Sequence, residues 1–326
     1  MAESKVLITG AGGFIGSHLA ELCVEQGYEV TAFVHYNSRN EWGWLEESQY
    51  RSQMKVVAGD VRDYDSVYNA MKGCEAVFHL AALIGIPYSY ISPLAYIRTN
   101  IEGTYNVLQA ARQLAPTNIL ITSTSETYGT AQYVPIDEKH PLVGQSPYSA
   151  TKIAADNIAL SFYRSFDLPV KVVRPFNTYG PRQSARAIIP AVIAQLLAGQ
   201  MTLNLGNLHP TRDLTFVRDT AAGFIEIAKS DKLFGQVTNI GTGGEITIGD
   251  LVNLIASLMS RHINIVTDRQ SVRPEKSEVE RLCCNNSKLL KSTGWRPQYD
   301  LRTGLMETIN WMKSHADKYK PDIYNV

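Results

Sequence analysis

Apolar residues recur along the first half of the chain in two alternating registers. Short runs at Lys5–Thr9, Val30–Val34, Lys55–Ala58, Ala76–Leu80, Asn118–Thr122 and Val170–Arg174 are dense in Val, Ile, Leu, Phe and Ala and read as strands. Between them lie stretches with helical spacing: Phe14–Gln26, with Ile15, Leu19 and Leu22 on one face, then Ser66–Met71, Thr104–Leu114 and Tyr148–Phe166. Alternation of strand and helix predicts an α/β fold, a doubly wound parallel sheet with helices on both faces. Beyond Pro175 the alternation fades, and Pro181, Pro190, Pro210, Pro274 and Pro297 punctuate shorter elements. Leu214–Val217 and Val237–Ile240 still read as strands able to rejoin the sheet. The expectation is a first domain over residues 1–175, rejoined by segments near 213–225 and 236–241. A smaller, interleaved α/β domain would come mainly from 176–326.

Composition narrows the function classes. Of the 326 residues, 31 are Lys or Arg and 31 are Asp or Glu, so no net field draws the chain to nucleic acid or to a membrane surface. No apolar run approaches the ~18 residues of a membrane helix. The N-terminal Met-Ala-Glu-Ser-Lys passes directly into Val6-Leu7-Ile8 without a leader pattern, so a cytoplasmic location is expected. Cys23, Cys74, Cys283 and Cys284 show no CxxC spacing and read as buried thiols, with no metal site expected.

Candidate chemistry begins at the first strand end. Gly10-Ala11-Gly12-Gly13-Phe14-Ile15-Gly16 stands between a strand and a helix. Such glycines make a tight turn, admit a pyrophosphate against the backbone and aim a helix N-terminus at negative charge, as in a Rossmann dinucleotide site. The spacing is GxxGxxG, in a context that a bland turn would not need. At the end of the second strand a carboxylate usually holds the ribose of NAD, but this stretch reads Phe33-Val34-His35-Tyr36-Asn37-Ser38-Arg39. Arg39, with Ser38 or His35, suits a 2′-phosphate, so the cofactor is expected to be NAD(P)+ with NADP+ favoured over NAD+.

Three further motifs appear: Gly59-Asp60-Val61-Arg62-Asp63 after the third strand, His79-Leu80-Ala81-Ala82 after the fourth, and Tyr148-Ser149-Ala150-Thr151-Lys152 at the opening of a long helix. Tyr148 and Lys152 are one helical turn apart, where an ammonium favours the phenolate. Together with the glycine loop, the set resembles the extended short-chain dehydrogenase/reductases, in their nucleotide-sugar epimerase/dehydratase branch, over Val6 to about Trp311. The resemblance implies that Asp60 and Val61 bracket the adenine and that Leu80, Ala81 and Ala82 line the cofactor. It also implies that Tyr148 exchanges a proton with the sugar hydroxyl, and that Lys152 holds the nicotinamide ribose.

Ser123-Thr124-Ser125-Glu126-Thr127-Tyr128-Gly129 follows the fifth strand, at the carboxyl edge where parallel sheets bind ligands. By resemblance Thr124 completes the triad with Tyr148 and Lys152. Epimerases of the branch carry small residues next, whereas Glu126 offers the base that a dehydratase needs, with Ser125 to orient water. Dehydratases of thymidine-diphospho-glucose typically read Thr-Asp-Glu. Thr-Ser-Glu resembles the guanosine-diphospho-mannose enzymes and also the decarboxylases of nucleotide-linked glucuronic acid. Among candidate substrate contacts, Asn177 and Arg273 would hold the diphosphate and Arg212 the nucleotide or its phosphates, arginine by its planar fork. Arg182 and Arg186 read as surface residues. His35, Tyr36, Trp42 and Trp44 would shape the cofactor edge or a dimer contact, or simply pack.

The strings Thr124–Glu138 and Phe176–Arg186 look closest to the 4,6-dehydratases of legionaminic-acid-type pathways, which act on UDP- or GDP-linked N-acetylglucosamine. The leading expectation is therefore such a hydro-lyase. A uronate decarboxylase, a 4-epimerase and a non-catalytic dinucleotide-sensing regulator are the alternatives. Helices at Ile101–Leu114 and Ser149–Tyr163 are expected to form a homodimer.

Overall fold

A computed structural model describes residues 4–267 and 279–320. The first half runs β1 (Lys5–Thr9), α1 (Phe14–Glu25), β2 (Glu29–His35), β3 (Met54–Gly59), α2 (Tyr64–Met71) and β4 (Ala76–His79). It continues with α3 (Ile86–Ile91), α4 (Pro93–Tyr96), a π-helical turn at Ile97–Glu102, α5 (Gly103–Leu114), β5 (Asn118–Thr122), α6 (Pro147–Phe166) and β6 (Val170–Pro175). The second half holds β7 (Asn177–Tyr179), α7 (Ile188–Leu197), β8 (Thr202–Leu205), β9 (Thr211–Arg212), β10 (Leu214–Phe216), α8 (Val217–Lys229) and β11 (Val237–Ile240). After these come β12 (Ile246–Thr247), α9 (Ile248–Leu258), β13 (Asn264–Thr267), β14 (Arg281–Leu282), α10 (Ser287–Ser292) and α11 (Leu301–Ser314).

Among the described residues, seven strands form one parallel sheet in the order β11-β6-β5-β4-β1-β2-β3. The order reverses at β1, so loops after β1 and β4 diverge and leave a crevice at their carboxyl ends. The period of two along each strand divides the core. Val6 and Ile8 of β1 pack with Val30, Ala32, Phe78, Leu120 and Val173 under α1 and α8, while Leu7 packs with Phe33, Val77, Ile119, Ile121 and Val172 under α2, α5 and α6. Continuous apolar runs are therefore what a sheet covered on both faces requires.

The second half both completes this sheet and builds a separate layer. β11 pairs with β6, Val237 opposite Val172; α8 delivers Phe224 and Ile225, α10 Leu289, and the chain after α10 Trp295 to the α1 side of the core. β10 differs from expectation: Leu214–Phe216 pairs with Asn177–Tyr179 in a two-stranded ribbon rather than rejoining the main sheet. The sheet's edge beside β6 is already taken by β11, and a kink after Pro175 carries β7 away from it. A second core of α7, α9, α11, β8 and β10, with Ile189, Ile193, Leu203, Leu251, Ile255, Leu305 and Ile309, lies beneath these short strands.

Two buried carboxylates fasten the irregular segments. Asp219 of α8 accepts backbone N–H groups of Gln298 and Tyr299 at 2.9 and 3.0 Å, and its carbonyl takes Trp295 Nε1 at 2.9 Å. Asp213 accepts Thr242 N and Oγ1, Gly243 N and Cys284 N at 2.8–3.0 Å, tying two distant segments to one side chain. Such multiply satisfied carboxylates replace a regular ladder where the chain has none. Asp219→Ala, which leaves two backbone donors unpaired, is expected to cost about 2–4 kcal/mol of unfolding free energy, read from the urea midpoint. An unchanged midpoint would place the anchoring of residues 295–299 elsewhere.

Candidate active site

The glycine turn after β1 is shaped from both sides. Gly10 sits at φ 72, donates to Phe33 O of β2 at 3.0 Å, and accepts Gly13 N at 3.0 Å. A Cβ on Gly16 would fall on the Gly10 carbonyl, which is why α1 can begin so close under the turn. Gly13 caps α1 without a side-chain hydrogen bond, so the first-turn amides are left to a ligand, at the positive end of the helix dipole. Gly12 O accepts Trp44 N at 3.0 Å, bringing the segment after β2 against the loop. Phe14 and Ile15 lean the other way, onto the second core. This cradle fits a dinucleotide pyrophosphate.

The other expected cofactor residues ring this cradle. Ala81 N donates to Thr9 Oγ1 at 3.2 Å, Leu80 N donates to Thr9 O at 3.2 Å, and Ala82 follows on the same loop. Val61 is buried, and Asp60 accepts Arg62 N at 2.9 Å, with the Arg62 guanidinium holding its carboxyl below the usual range. A cleft of about 430 Å³ opens beside Asp60, lined also by Arg62, Asp63, Arg98 and Glu102. His35, Ser38 and Arg39 are all exposed. Arg39, with 80% of its side chain open, pairs with Glu41 at 3.6 Å, and Asn37 organises the turn around it. Trp42 lies under the Arg51 guanidinium, and Trp44 packs edge-on against Trp311 of α11 at 5.3 Å, so both serve packing between segments.

Four of the expected catalytic residues meet at the ends of β5 and α6. Ser146 caps α6 reciprocally with Ser149 and Pro147 takes the first helical position, which fixes where Tyr148 emerges. After β5, Thr124 caps a 3-10 turn, Ser125–Tyr128, and accepts Glu126 N at 3.3 Å. The Thr124 hydroxyl and the Glu126 carboxylate both stand near enough to Tyr148 to act on its phenol. Burial raises the Tyr148 pKa well above its ordinary value; the Thr124 hydroxyl works against this, and Glu126 adds to it. Tyr96 packs edge-on to the Tyr148 ring at 6.2 Å and hydrogen-bonds through its hydroxyl to Gly85 O. Ser125 is buried and Glu126 half-buried.

Lys152, one turn below Tyr148, is 3% exposed, and burial lowers its pKa to about 8 despite the nearby Asp156. His79, at the end of β4, shares this region and is itself pushed down to about 3 by burial and by Lys152. Its ring bridges Thr9 Oγ1 (2.8 Å to Nδ1) and Thr104 Oγ1 (3.1 Å to Nε2). Because Thr104 donates to Asn100 O at 2.7 Å, it must accept from Nε2, which fixes the neutral tautomer. Asn100, inside the π-helical turn, holds Leu83 through both backbone groups and donates to Thr151 Oγ1 at 3.0 Å. The β4 loop is thereby pinned to α6.

Of the expected substrate contacts, Asn177 opens β7 half-buried, with Oδ1 lacking a hydrogen-bond partner among the described residues. Arg212 is buried, donates to Thr211 O at 2.8 Å and stands next to the Asp213 hub. Arg273 lies outside the described residues. Arg182 is not the surface residue expected: at φ 72 its guanidinium reaches α1, where Glu21 accepts two bonds at 3.0 and 2.9 Å and Ser17 Oγ one at 3.1 Å. Arg186 is exposed and approaches Gly85 and Tyr96. Sequence reasoning missed Asp156, Arg174, Asn100 and Asp213. For Asp156 a signal existed, since it continues the Tyr148–Lys152 face by one more turn.

Residues 7–308 match the family model described as GDP-mannose 4,6 dehydratase. The chain is 31% identical to a dTDP-glucose 4,6-dehydratase of Streptomyces antibioticus, over 97% of this chain and 95% of that protein. It is also 31% identical to a UDP-glucose 4-epimerase of Mycolicibacterium smegmatis, over 96% and 99%. Among solved structures, DesIV of Streptomyces venezuelae, a dTDP-glucose 4,6-dehydratase with NAD and TYD bound, superposes with a TM-score of 0.88 at 27% identity, covering 97% of this chain and 99% of that one.

Because the native state releases the Lys152 proton near pH 8 and the unfolded chain near 10.5, the unfolded state binds more protons in between, and stability rises with pH across that window. Below pH 8 the full burial cost of the charge is present. In the enzyme stripped of dinucleotide, Lys152→Met should therefore raise stability at pH 7 by about 3 kcal/mol, at ~1.4 kcal/mol per pKa unit, and flatten the rise above pH 8. Thermal unfolding across pH 6–11 (roughly the span of both protonation steps) checks this, and a destabilised variant with the slope intact contradicts it.

Proposed function

Since the chain belongs to the GDP-mannose 4,6-dehydratase family, we propose that it is a nucleotide-sugar 4,6-dehydratase. In this reading it converts UDP- or GDP-linked N-acetylglucosamine to the 4-keto-6-deoxy sugar. The observation that carries it is Glu126, a half-buried carboxylate on the Thr124 turn within charge range of Tyr148. Epimerisation at C4 removes no proton from C5, so a base at this position would have no task in it. Elimination across C5–C6 requires one.

The residues divide the work. Gly10, Gly12, Gly13 and Gly16, with the first turn of α1, would hold the dinucleotide, which when bound supplies a hydride acceptor at C4 and a hydride donor at C6. Tyr148 takes the proton of the C4 hydroxyl as that carbon is oxidised, with Thr124 donating to its oxygen and the Lys152 ammonium opposing the cost of a buried phenolate. The C4 carbonyl acidifies the C5 proton. Glu126 removes it and returns it to the departing C6 hydroxyl, which leaves as water, with Ser125 at the same turn. The proton held by Tyr148 balances the one that C5 regains as hydride reaches C6. Asn177, Arg212 and Arg273 are assigned to the diphosphate.

Between dinucleotides the reading is NAD+. Support comes from DesIV, which holds NAD; Arg39, the cation on which NADP+ is expected, is exposed and pairs with Glu41 at 3.6 Å. The protein would act as a homodimer through α5 and α6, whose outer faces leave Tyr105, Tyr163 and Phe166 exposed. No helix among the described residues is long and apolar enough to cross a membrane. Light scattering at micromolar concentration should give twice the chain mass, and a monomer mass refutes the dimer.

Purified protein incubated in parallel with UDP-N-acetylglucosamine, GDP-N-acetylglucosamine and UDP-glucuronate should release one water from a hexosamine substrate, as read by mass spectrometry. Loss of carbon dioxide from the uronate alone would assign Glu126 to a decarboxylase instead. Glu126→Gln should slow water loss by about 10²–10⁴-fold while sparing C4 oxidation, so that reduced nicotinamide accumulates at its absorbance band. Equal loss of both steps would remove Glu126 from the role of base.

A further inference from the structure

Tyr148, Lys152 and Asp156 succeed one another at four-residue steps along one face of α6, and all three are buried. Asp156 is held by groups from two other elements. Its Oδ2 accepts Ser123 Oγ, at the end of β5, at 2.6 Å, and the guanidinium of Arg174 on β6, also at 2.6 Å. Arg174 Nε reaches Ser123 Oγ at 3.4 Å, and its guanidinium lies over the Tyr128 ring at 4.6 Å. Tyr128 donates to Asn239 Oδ1 at 2.7 Å, and Asn239 N donates to Glu138 at 2.9 Å, so the chain of contacts runs on to β11.

An ion pair this deeply buried adds little net stability over an apolar replacement, and its cost needs another explanation. Both oxygens of Asp156 are out of water. Oδ2 carries two bonds, whereas Oδ1 has no hydrogen-bond partner among the described residues. The cation one helical turn above is Lys152, buried with His79 beyond it on β4 and Tyr148 on the following turn. Glu126, Tyr96 and Tyr128 stand farther around the same site, and Arg174 is the cation paired directly with Asp156. A charged ammonium without a nearby anion would not persist in such surroundings.

We propose that Asp156, clamped by Ser123 and Arg174, is a positioning residue that keeps Lys152 charged and in place beneath Tyr148. The inference rests on the assignment of Tyr148 and Lys152 to the reaction, but its physical content concerns the lysine alone. Arg174 and Ser123 fix the carboxylate against rotation toward either strand end, so the anion stays on the helix face that the lysine shares. Through Ser123 the same clamp joins the residue that precedes Thr124, so the turn bearing Thr124 and Glu126 and the helix bearing Tyr148 are registered by one side chain.

The test follows the Lys152 ammonium by NMR in full-length, ¹³C-lysine-labelled protein, its signal assigned with Lys152→Arg. In Asp156→Asn the midpoint should fall by at least tenfold in proton affinity, that is, by about one pH unit or more. The alkaline limb of kcat/KM should move to lower pH by the same amount. Because Asp156→Asn strands Arg174, the double variant Asp156→Asn/Arg174→Met is carried alongside, with both buried charges removed and the midpoint still expected to fall. A midpoint unchanged in either folded variant overturns the proposal, even where thermal stability drops, because that result marks a structural ion pair only. If the NMR shift appears but the wild-type protein turns over no nucleotide sugar, the positioning inference stands and the dehydratase reading fails.

Discussion

A positive charge placed in the core, where water cannot solvate it, governs this structure. Lys152 is useful to a phenol only while protonated, and burial pulls its proton off near pH 8. Around it the fold assembles what such a charge needs: an anion one turn along the helix, a histidine locked neutral so that it adds no second cation, and short threonine bridges that keep the histidine so. Each of these groups comes from a different strand end or helix. The parallel sheet, which brings all its carboxyl ends to one edge, makes that convergence possible.

The same edge explains why the cofactor and substrate sides must be built differently. The dinucleotide side relies on backbone: a left-handed glycine, an uncapped helix start and amides of the β4 loop. Backbone presented at a strand end needs only small residues, so it leaves a mark in sequence. The proposed substrate side relies on side chains carried by two- and three-residue strands, held together by Asp213 and Asp219. Those carboxylates are defined by partners far along the chain.

This difference sets how much could be read before the fold was seen. Strands β1 and β5 and helices α1 and α6 follow from apolar spacing almost to the residue, because propensity, burial and periodicity agree there. The π-helical turn at Ile97–Glu102 was read in part as regular helix, since what unwinds it is the long-range grip of Asn100 on Leu83 and Thr151. β10 was misplaced because a short strand's pattern does not name its partner. Arg182 looked like surface because an arginine beside a Gly-Pro pair ordinarily is, and Glu21, its partner, lies 161 positions away. Thr124, Glu126, Tyr148 and Lys152 were legible as a set, whereas Asp156, invisible as a motif, needed the neighbouring strand to reveal its pairing.

The chain's threading carries a last consequence. A segment that begins after Pro175 first leaves the sheet as β7, then covers it with α8, completes its edge with β11 and returns again with α10 and Trp295. A fragment ending at Pro175 would therefore expose the β6 edge and one apolar face, an invitation to strand-to-strand aggregation. Nor can the second half be exchanged as a cassette, for it is stitched through the first half rather than appended to it. New specificities on this scaffold must arise by substitution within loops, one residue at a time, under the constraint that the stitching stays intact.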